Sequence, residues 1–180
     1  MIKKYSYVSL LTDDSYAYGI ALLVESLKRV KSQYPLHILI TKDVSLPTIE
    51  MLRQLKVTYE TIDVIPISEE LNNHNFAVDK RRAGIWKNCW TKFKIFDLIQ
   101  FEKIVFLDAD IMILKNIDHL FQCPHMTAAL DGEIFNIWPN DPHFNAGCIV
   151  IEPKHEIFED ILKFAKTLHL SDFHDVIIAD

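Results

Sequence analysis

The run Lys103–Leu107 (KIVFL) reads as a buried strand, and it stops abruptly at Asp108-Ala109-Asp110. Other short runs rich in β-branched, aromatic and leucine residues read the same way: Tyr5–Leu11, Leu36–Ile40, Val57–Ile65, Met126–Leu130 and Ala146–Ile151. Between them the apolar residues recur at helical spacing. Ile20, Leu23, Val24, Leu27 and Val30 predict a helix over Tyr16–Val30, and Ile49, Leu52 and Leu55 a second after Pro47. A third is predicted from about Trp86 to Ile99, and a fourth, through Ile157, Phe158, Ile161, Leu162 and Ala165, after Pro153. Strands alternating with helices predict an α/β fold with a Rossmann-like, mainly parallel sheet flanked by helices. Ligands of such folds gather at the carboxyl ends of the strands.

A length of 180 residues fits one domain, residues 1–180, around one core. The net charge of −6 gives no basic footprint for nucleic acid or anionic lipid. Glycine narrows the chemistry further. There are only 4, at Gly19, Gly84, Gly132 and Gly147, which is well below the usual ~7% and leaves no cluster able to cradle phosphate with backbone amides. A diphosphate bound here is expected to be neutralised by a metal ion and side-chain cations, which directs attention to carboxylates. Cys89, Cys123 and Cys148 are widely spaced, predicting reduced thiols rather than a zinc knuckle or disulfide framework. No stretch is long and apolar enough for a signal peptide or a membrane span, so the expectation is a cytoplasmic chain with no membrane segment.

Asp108-Ala109-Asp110 carries the strongest chemical signal. In extended backbone the two carboxylates project to the same side, into the crevice at a strand end, where they repel unless a cation joins them. Hard oxygen ligands suit Mn²⁺ or Mg²⁺, and Ala109 leaves room for a ligand near the backbone. The plainer alternative has one Asp capping a turn and the other solvated. Lys92, on the preceding helix, is either a diphosphate partner or a solvated lysine. Asn145-Ala146-Gly147 enters a strand and can meet sugar hydroxyls, though Asn and Gly also make ordinary turns. Leu10, Thr12, Asp13 and Tyr16 place polar groups and a ring at the tip of the first strand, fit for a base, and helix capping accounts for the same residues.

In combination these segments resemble the glycogenin-like glycosyltransferases of family 8, whose fold is the GT-A type. The resemblance rests on ordered blocks: Thr12-Asp13-Asp14-Ser15-Tyr16-Ala17-Tyr18-Gly19, then Lys92, then Phe106-Leu107-Asp108-Ala109-Asp110. Asn116-Ile117-Asp118-His119-Leu120-Phe121 and Phe144-Asn145-Ala146-Gly147 follow. It implies transfer of a sugar, glucose leading, from a UDP-sugar donor to a carbohydrate or protein hydroxyl, with retention at the anomeric carbon and with Mn²⁺, or else Mg²⁺. By the same resemblance Asp108 and Asp110 hold the metal. Leu10, Thr12, Asp13, Tyr16, Lys92, Asp108 and Ala109 bind the nucleotide. Asn145, Ala146, Gly147 and Asp175 bind the sugar, and Asp180, with Asn145, takes the catalytic position. The base-binding segment has Asp13 where the family has Asn, and Ala146 stands where it often has Ser.

The family continues into a C-terminal segment with a His-x-x-Gly-x-x-Lys motif that has no counterpart here, so the expectation is a single GT-A domain lacking that segment. From this departure comes the alternative of a non-catalytic nucleotide-sugar-binding domain or a degenerate relative. A nucleotidyltransferase of similar architecture would need a glycine-rich amino-terminal loop, against which the glycine count argues.

Overall fold

The computed structural model describes residues 4–66, 88–130 and 144–168. The chain divides into two compact units, the first comprising residues 1–62 and 100–153 and the second residues 63–99 and 154–180.

The first unit holds the sheet. Its elements are β1 (Tyr5–Leu11), α1 (Ala17–Arg29), β2 (Leu36–Ile40), α2 (Leu46–Gln54), β3 (Thr58–Thr61), β4 (Lys103–Leu107), β5 (Ala128–Leu130) and β6 (Phe144–Ile151). Among the described residues these six strands form one sheet in the order β3-β2-β1-β4-β6-β5. β1 pairs in parallel with both β2 and β4, and β2 with β3, while β6 runs antiparallel to β4 and β5. The mainly parallel sheet expected from the sequence therefore contains a reversed strand, β6, beside its central strand β4.

The central strands are short, apolar and covered on both faces, as strands of parallel sheets are. Tyr7, Leu11, Ile38, Ile40, Val105, Leu107 and Val150 share one face with Ile20, Leu23, Val24 and Leu27 of α1 and Leu52 of α2. Their alternating neighbours Val8, Leu39, Ile104, Phe106, Ile149 and Ile151 on the opposite face are no more than 6% exposed. α1 forms where expected because its apolar stripe recurs every three to four residues, with Lys28 and Arg29 in the last turn facing the negative end of the helix. α2 begins with Pro47 in its first turn, where a missing N–H costs nothing.

The second unit contains a 3-10 helix, Cys89–Asp97, and the helix α3 (His155–Ala165). Trp90 is buried there against Ile65, Cys89, Phe93, Ala165 and Leu168. His155 Nδ1 lies 2.7 Å from Asp97 Oδ1, and the Lys94 ammonium sits 4.7 Å from the centre of the Phe158 ring.

Two expectations change. The helix predicted over 86–99 is a 3-10 helix over Cys89–Asp97 in its described part. Apolar residues at every third to fourth position satisfy both helix types, so the spacing does not separate them. The third strand is Thr58–Thr61 instead of Val57–Ile65. It is the edge strand, where pairing on one side alone supports a shorter ladder.

Candidate functional site

With β1, β2 and β4 parallel, their carboxyl ends share one edge of the sheet, and the reversed β6 brings its amino end to that same edge. β1 has β2 on one side and β4 on the other, so the edge between β1 and β4 is the switch point where α/β sheets hold ligands. Thr12, Asp13, Asp108 and Asn145 all stand on this edge.

Asp108 leaves β4 into a turn closed by a hydrogen bond of 3.2 Å from Ile111 N to the Asp108 carbonyl. The expectation of two carboxylates aligned by an extended backbone is thus corrected: Asp108 and Asp110 are presented from a turn. Asp108 is half-buried and Asp110 exposed.

Across the β4–β6 ladder, Leu107 faces Cys148, and the Asp108 N–H donates to the Gly147 carbonyl at 2.9 Å. Asn145 Oδ1 accepts from the Gly147 N–H at 2.8 Å, folding its amide back over the strand. A Cβ built on Gly147 would stand 2.8 Å from Asn145 Oδ1 and 3.0 Å from Asp108 Oδ2. A carboxylate oxygen and an amide oxygen therefore converge on a cradle that glycine alone leaves open. The pairing of β5 with β6 slips at this point, stepping from Ala128↔Ile149 to Ala129↔Asn145 and leaving Ala146, Gly147 and Cys148 out of that ladder. Irregularities of this kind bend a strand and re-aim its side chains. Burial, and then the Asp108 carboxylate, push the Cys148 thiol up, so it behaves as a small apolar side chain beside the site. No disulfide joins Cys89, Cys123 or Cys148.

At the end of β1 the polar segment is held by its own hydrogen bonds. Asp13 Oδ1 caps the 3-10 turn Asp14–Tyr16 by accepting from Ser15 N at 2.7 Å. Asp14 Oδ1 accepts from Ser45 N at 3.0 Å, and hydrogen bonds, that from Thr48 first, hold its carboxyl below the ordinary value. The Thr41 hydroxyl donates to the Thr12 carbonyl. Capping, the plainer alternative for this segment, is thus realised at Asp13, while the Tyr16 ring remains 41% exposed and Leu10 half-buried.

The structure brings Asp108, Asn145 and Gly147 into contact, with Ala109 and Ala146 beside them. Lys92 is half-buried on the 3-10 helix of the second unit. Asp175 and Asp180 lie outside the described residues. Sequence reasoning missed two participants. Thr41 anchors the Thr12 carbonyl from the end of β2. Gly19 of α1 touches the backbone of Ala109 closely enough that a Cβ there would collide with the Ala109 carbonyl oxygen. The Thr12–Gly19 block already contained Gly19, but its contact is not visible in local sequence.

The donor set can be tested against a divalent ion. Among the described residues no group of three or more His, Cys, Asp or Glu assembles around one point. Magnesium-like ions commonly use one or two carboxylates and take their remaining ligands from water and substrate phosphates. Asp108 and Asp110 offer hard carboxylate oxygens from one turn, and Asp108 Oδ2 borders the point that a Gly147 Cβ would fill, donors of the kind such an ion takes.

This sheet, with its switch point between β1 and β4 and its reversed β6, is that of the GT-A fold. The galactosyltransferase LgtC, solved in complex with donor and acceptor sugar analogs, superposes with a TM-score of 0.64 at 18% identity, covering 94% of this chain and 66% of that one. The model of glycosyl transferase family 8 matches residues 7–172, and the chain belongs to that family. Glycogenin-1 of Caenorhabditis elegans is 31% identical over 163 residues, 90% of this chain and 35% of that protein. Inositol phosphorylceramide glucuronosyltransferase 1 of Arabidopsis thaliana is 30% identical over 165 residues, 92% of this chain and 27% of that protein. The chain therefore spans about a third of the length of these curated relatives or less. Among the described residues no helix is long and apolar enough to cross a membrane.

Proposed function

We propose that the chain forms the donor-binding part of a retaining, Mn²⁺-dependent glycosyltransferase that takes a sugar, glucose leading, from a UDP-sugar and passes it to a carbohydrate or protein hydroxyl. The observation that supports this most is the convergence of Asp108 and Asn145 oxygens over Gly147 at the switch-point edge.

Asp108 and Asp110 would hold the ion. When bound, it supplies Lewis-acid neutralisation of the departing diphosphate, which this glycine-poor chain has no amide cradle to provide. Because Asn145 Oδ1 is engaged by Gly147 N, its Nδ2 would be the end that donates to a sugar hydroxyl. The missing side chain of Gly147 is what lets Asn145 Oδ1 and Asp108 Oδ2 stand together over the strand. Asp13 uses one carboxylate oxygen for the cap and keeps the other for a base edge, with the Tyr16 ring available for stacking. By the family resemblance alone, Lys92 would partner the diphosphate and Asp180 would take the catalytic position.

Thermal shift with UDP, with and without Mn²⁺, tests the reading. Asp108→Asn and Asp110→Asn are each expected to abolish the metal-dependent part of the shift; wild-type metal-dependent affinity in both variants would overturn it. The same assay across UDP-glucose, UDP-galactose, UDP-xylose, UDP-glucuronate and UDP-rhamnose names the donor. A chain that binds UDP with Mn²⁺ but releases no sugar from any of them is the non-catalytic binding module instead.

A further inference from the structure

Gly19 lies in the first turns of α1, with no left-handed backbone to explain a glycine there. Glycine inside a helix is unfavourable relative to alanine, so its presence needs another reason. Space is that reason. A Cβ on Gly19 would collide with the Ala109 carbonyl oxygen, and would stand 3.2 Å from the Ala109 carbonyl carbon and 3.7 Å from the Asp110 Cα. All three are backbone atoms of the turn that presents the two carboxylates, so no side-chain rotation relieves the clash.

The contact is one end of a longer seat. Further along the same face of α1, Ser26 Oγ accepts from the Ile113 N–H at 3.0 Å, while its own hydroxyl donates to the Leu23 carbonyl at 2.8 Å. Ser26 is buried, as is Ile113. Past the end of the helix, Asn116 Nδ2 reaches the carbonyls of Val30 and Lys31 at 3.3 and 3.4 Å. The segment from Ala109 to Asn116 thus runs alongside α1, pinned at successive points, with Gly19 at the end nearest the carboxylates.

We propose that Gly19 is a positioning residue: its missing side chain lets α1 seat against the Ala109 carbonyl, and that seating fixes where the Asp108 and Asp110 carboxylates stand. The inference rests on the metal-binding reading of those carboxylates. α1 is anchored in the core by Ile20, Leu23, Val24 and Leu27 and cannot retreat as a unit. The turn must move instead, and carboxylates displaced by a few tenths of an ångström grip a cation less well.

The test is Mn²⁺ binding to the 180-residue chain in the presence of UDP, read by electron paramagnetic resonance, with the melting temperature measured on the same samples. Gly19→Ala is expected to weaken Mn²⁺ affinity about 10–100-fold, the usual effect of disturbing groups that orient metal ligands, and to change the Mn²⁺ line shape. A glycine that mattered only to the helix would act oppositely, since alanine raises helix propensity: the melting temperature would rise with Mn²⁺ affinity unchanged. That result overturns the proposal. Should Gly19→Ala fail to fold, Ser26→Ala, which frees the other end of the seat, is expected to weaken Mn²⁺ affinity by a smaller factor, and wild-type affinity there overturns the proposal equally. Wild-type protein that binds no Mn²⁺ with UDP overturns both the proposal and the reading beneath it; binding in wild type that Asp108→Asn removes and Gly19→Ala leaves intact overturns the proposal alone.

Discussion

Gly147 is the residue at which the site's chemistry is most exposed to a single atom. A Cβ there would crowd both Asn145 Oδ1 and Asp108 Oδ2. Gly147→Ala is therefore expected to leave the sheet intact, because extended backbone accepts alanine, while lowering UDP–Mn²⁺ affinity at least about tenfold, or 1.4 kcal/mol. Titration of UDP in the presence of Mn²⁺ with circular dichroism on the same sample separates the two effects. At this scale the sequence was informative where chemistry follows from neighbours along the chain. The carboxylates after KIVFL and the Asn-Ala-Gly entry to a strand were readable as strand-end groups. The Gly19–Ala109 contact was not, because it joins two backbones far apart in sequence and requires no distinctive side chain at either position. The turn conformation of Asp108-Ala109-Asp110 was also invisible: a D-x-D written after a strand looks the same whether the strand continues or turns.

Among the elements, the segment Asn116–Phe121 acquires a role that the family resemblance alone did not give it. Asp118 Oδ1 accepts from the Tyr7 hydroxyl of β1 at 2.8 Å and from Ser32 Oγ at 2.7 Å, and its Oδ2 accepts from Gln33 N at 2.9 Å and from Asn116 Nδ2 at 3.1 Å. Phe121, 1% exposed, stacks on Tyr5 at 5.5 Å and meets Tyr7 edge-on at 4.9 Å. One carboxylate thus ties the start of β1, the connection after α1 and the 3-10 helix Asp118–Gln122 together, at the end of the sheet away from Asp108. Burial opposes the charged form of Asp118, but the hydrogen bonds from Gln33, Ser32, Tyr7 and Asn116 outweigh it, so its carboxyl titrates below the ordinary range. Burial, reinforced by Asp118, pushes the Tyr7 phenol far upward, keeping it a neutral donor. Asp118→Asn is expected to cost about 1.5–3 kcal/mol, the worth of hydrogen bonds to a charged group, seen as a lower melting temperature at neutral pH. Its UDP–Mn²⁺ affinity, measured well below the new melting point, is expected to match wild type; a loss of affinity there would mean that this clamp serves the site directly.

For the whole molecule, the two units should respond to pH in opposite directions. In the first, the depressed Asp118 carboxyl contributes stability in full above the ordinary carboxylate value, about 3.9, and loses it as pH falls through its lower folded value. His37, buried and hydrogen-bonded to Thr58 at 2.8 Å, has its pKa lowered by burial against the pull of Glu60, so its contribution is full above about 6.5 and is also lost toward acid. In the second unit the hydrogen bond to Asp97 raises the pKa of His155. That contribution is full below about 6.5 and fades as pH rises through the raised value, and its exposure keeps it modest. Residue-resolved hydrogen exchange from about pH 4 to about pH 8 should show protection around Thr58 falling toward acid and around His155 falling toward alkali; parallel trends in the two places would contradict this account. The α/β class, most strand boundaries and the carboxyl-edge location of the site were legible because they follow from runs and periods in the sequence. The reversal of β6 was not, because a buried apolar strand reads the same in either direction.

That reversed strand makes the site a matter of reading frame. Gly147 faces Asp108 because β6 pairs with β4 in one register, Leu107 opposite Cys148, and successive residues of a strand point to opposite faces. Inserting one residue between Gly147 and Ile149, or deleting Cys148, would leave Asp108, Asn145 and Gly147 in the chain, yet would turn another residue toward the carboxylate and Gly147 away from it. Substitutions here should therefore be graded in their effects, whereas changes in length should be all or none.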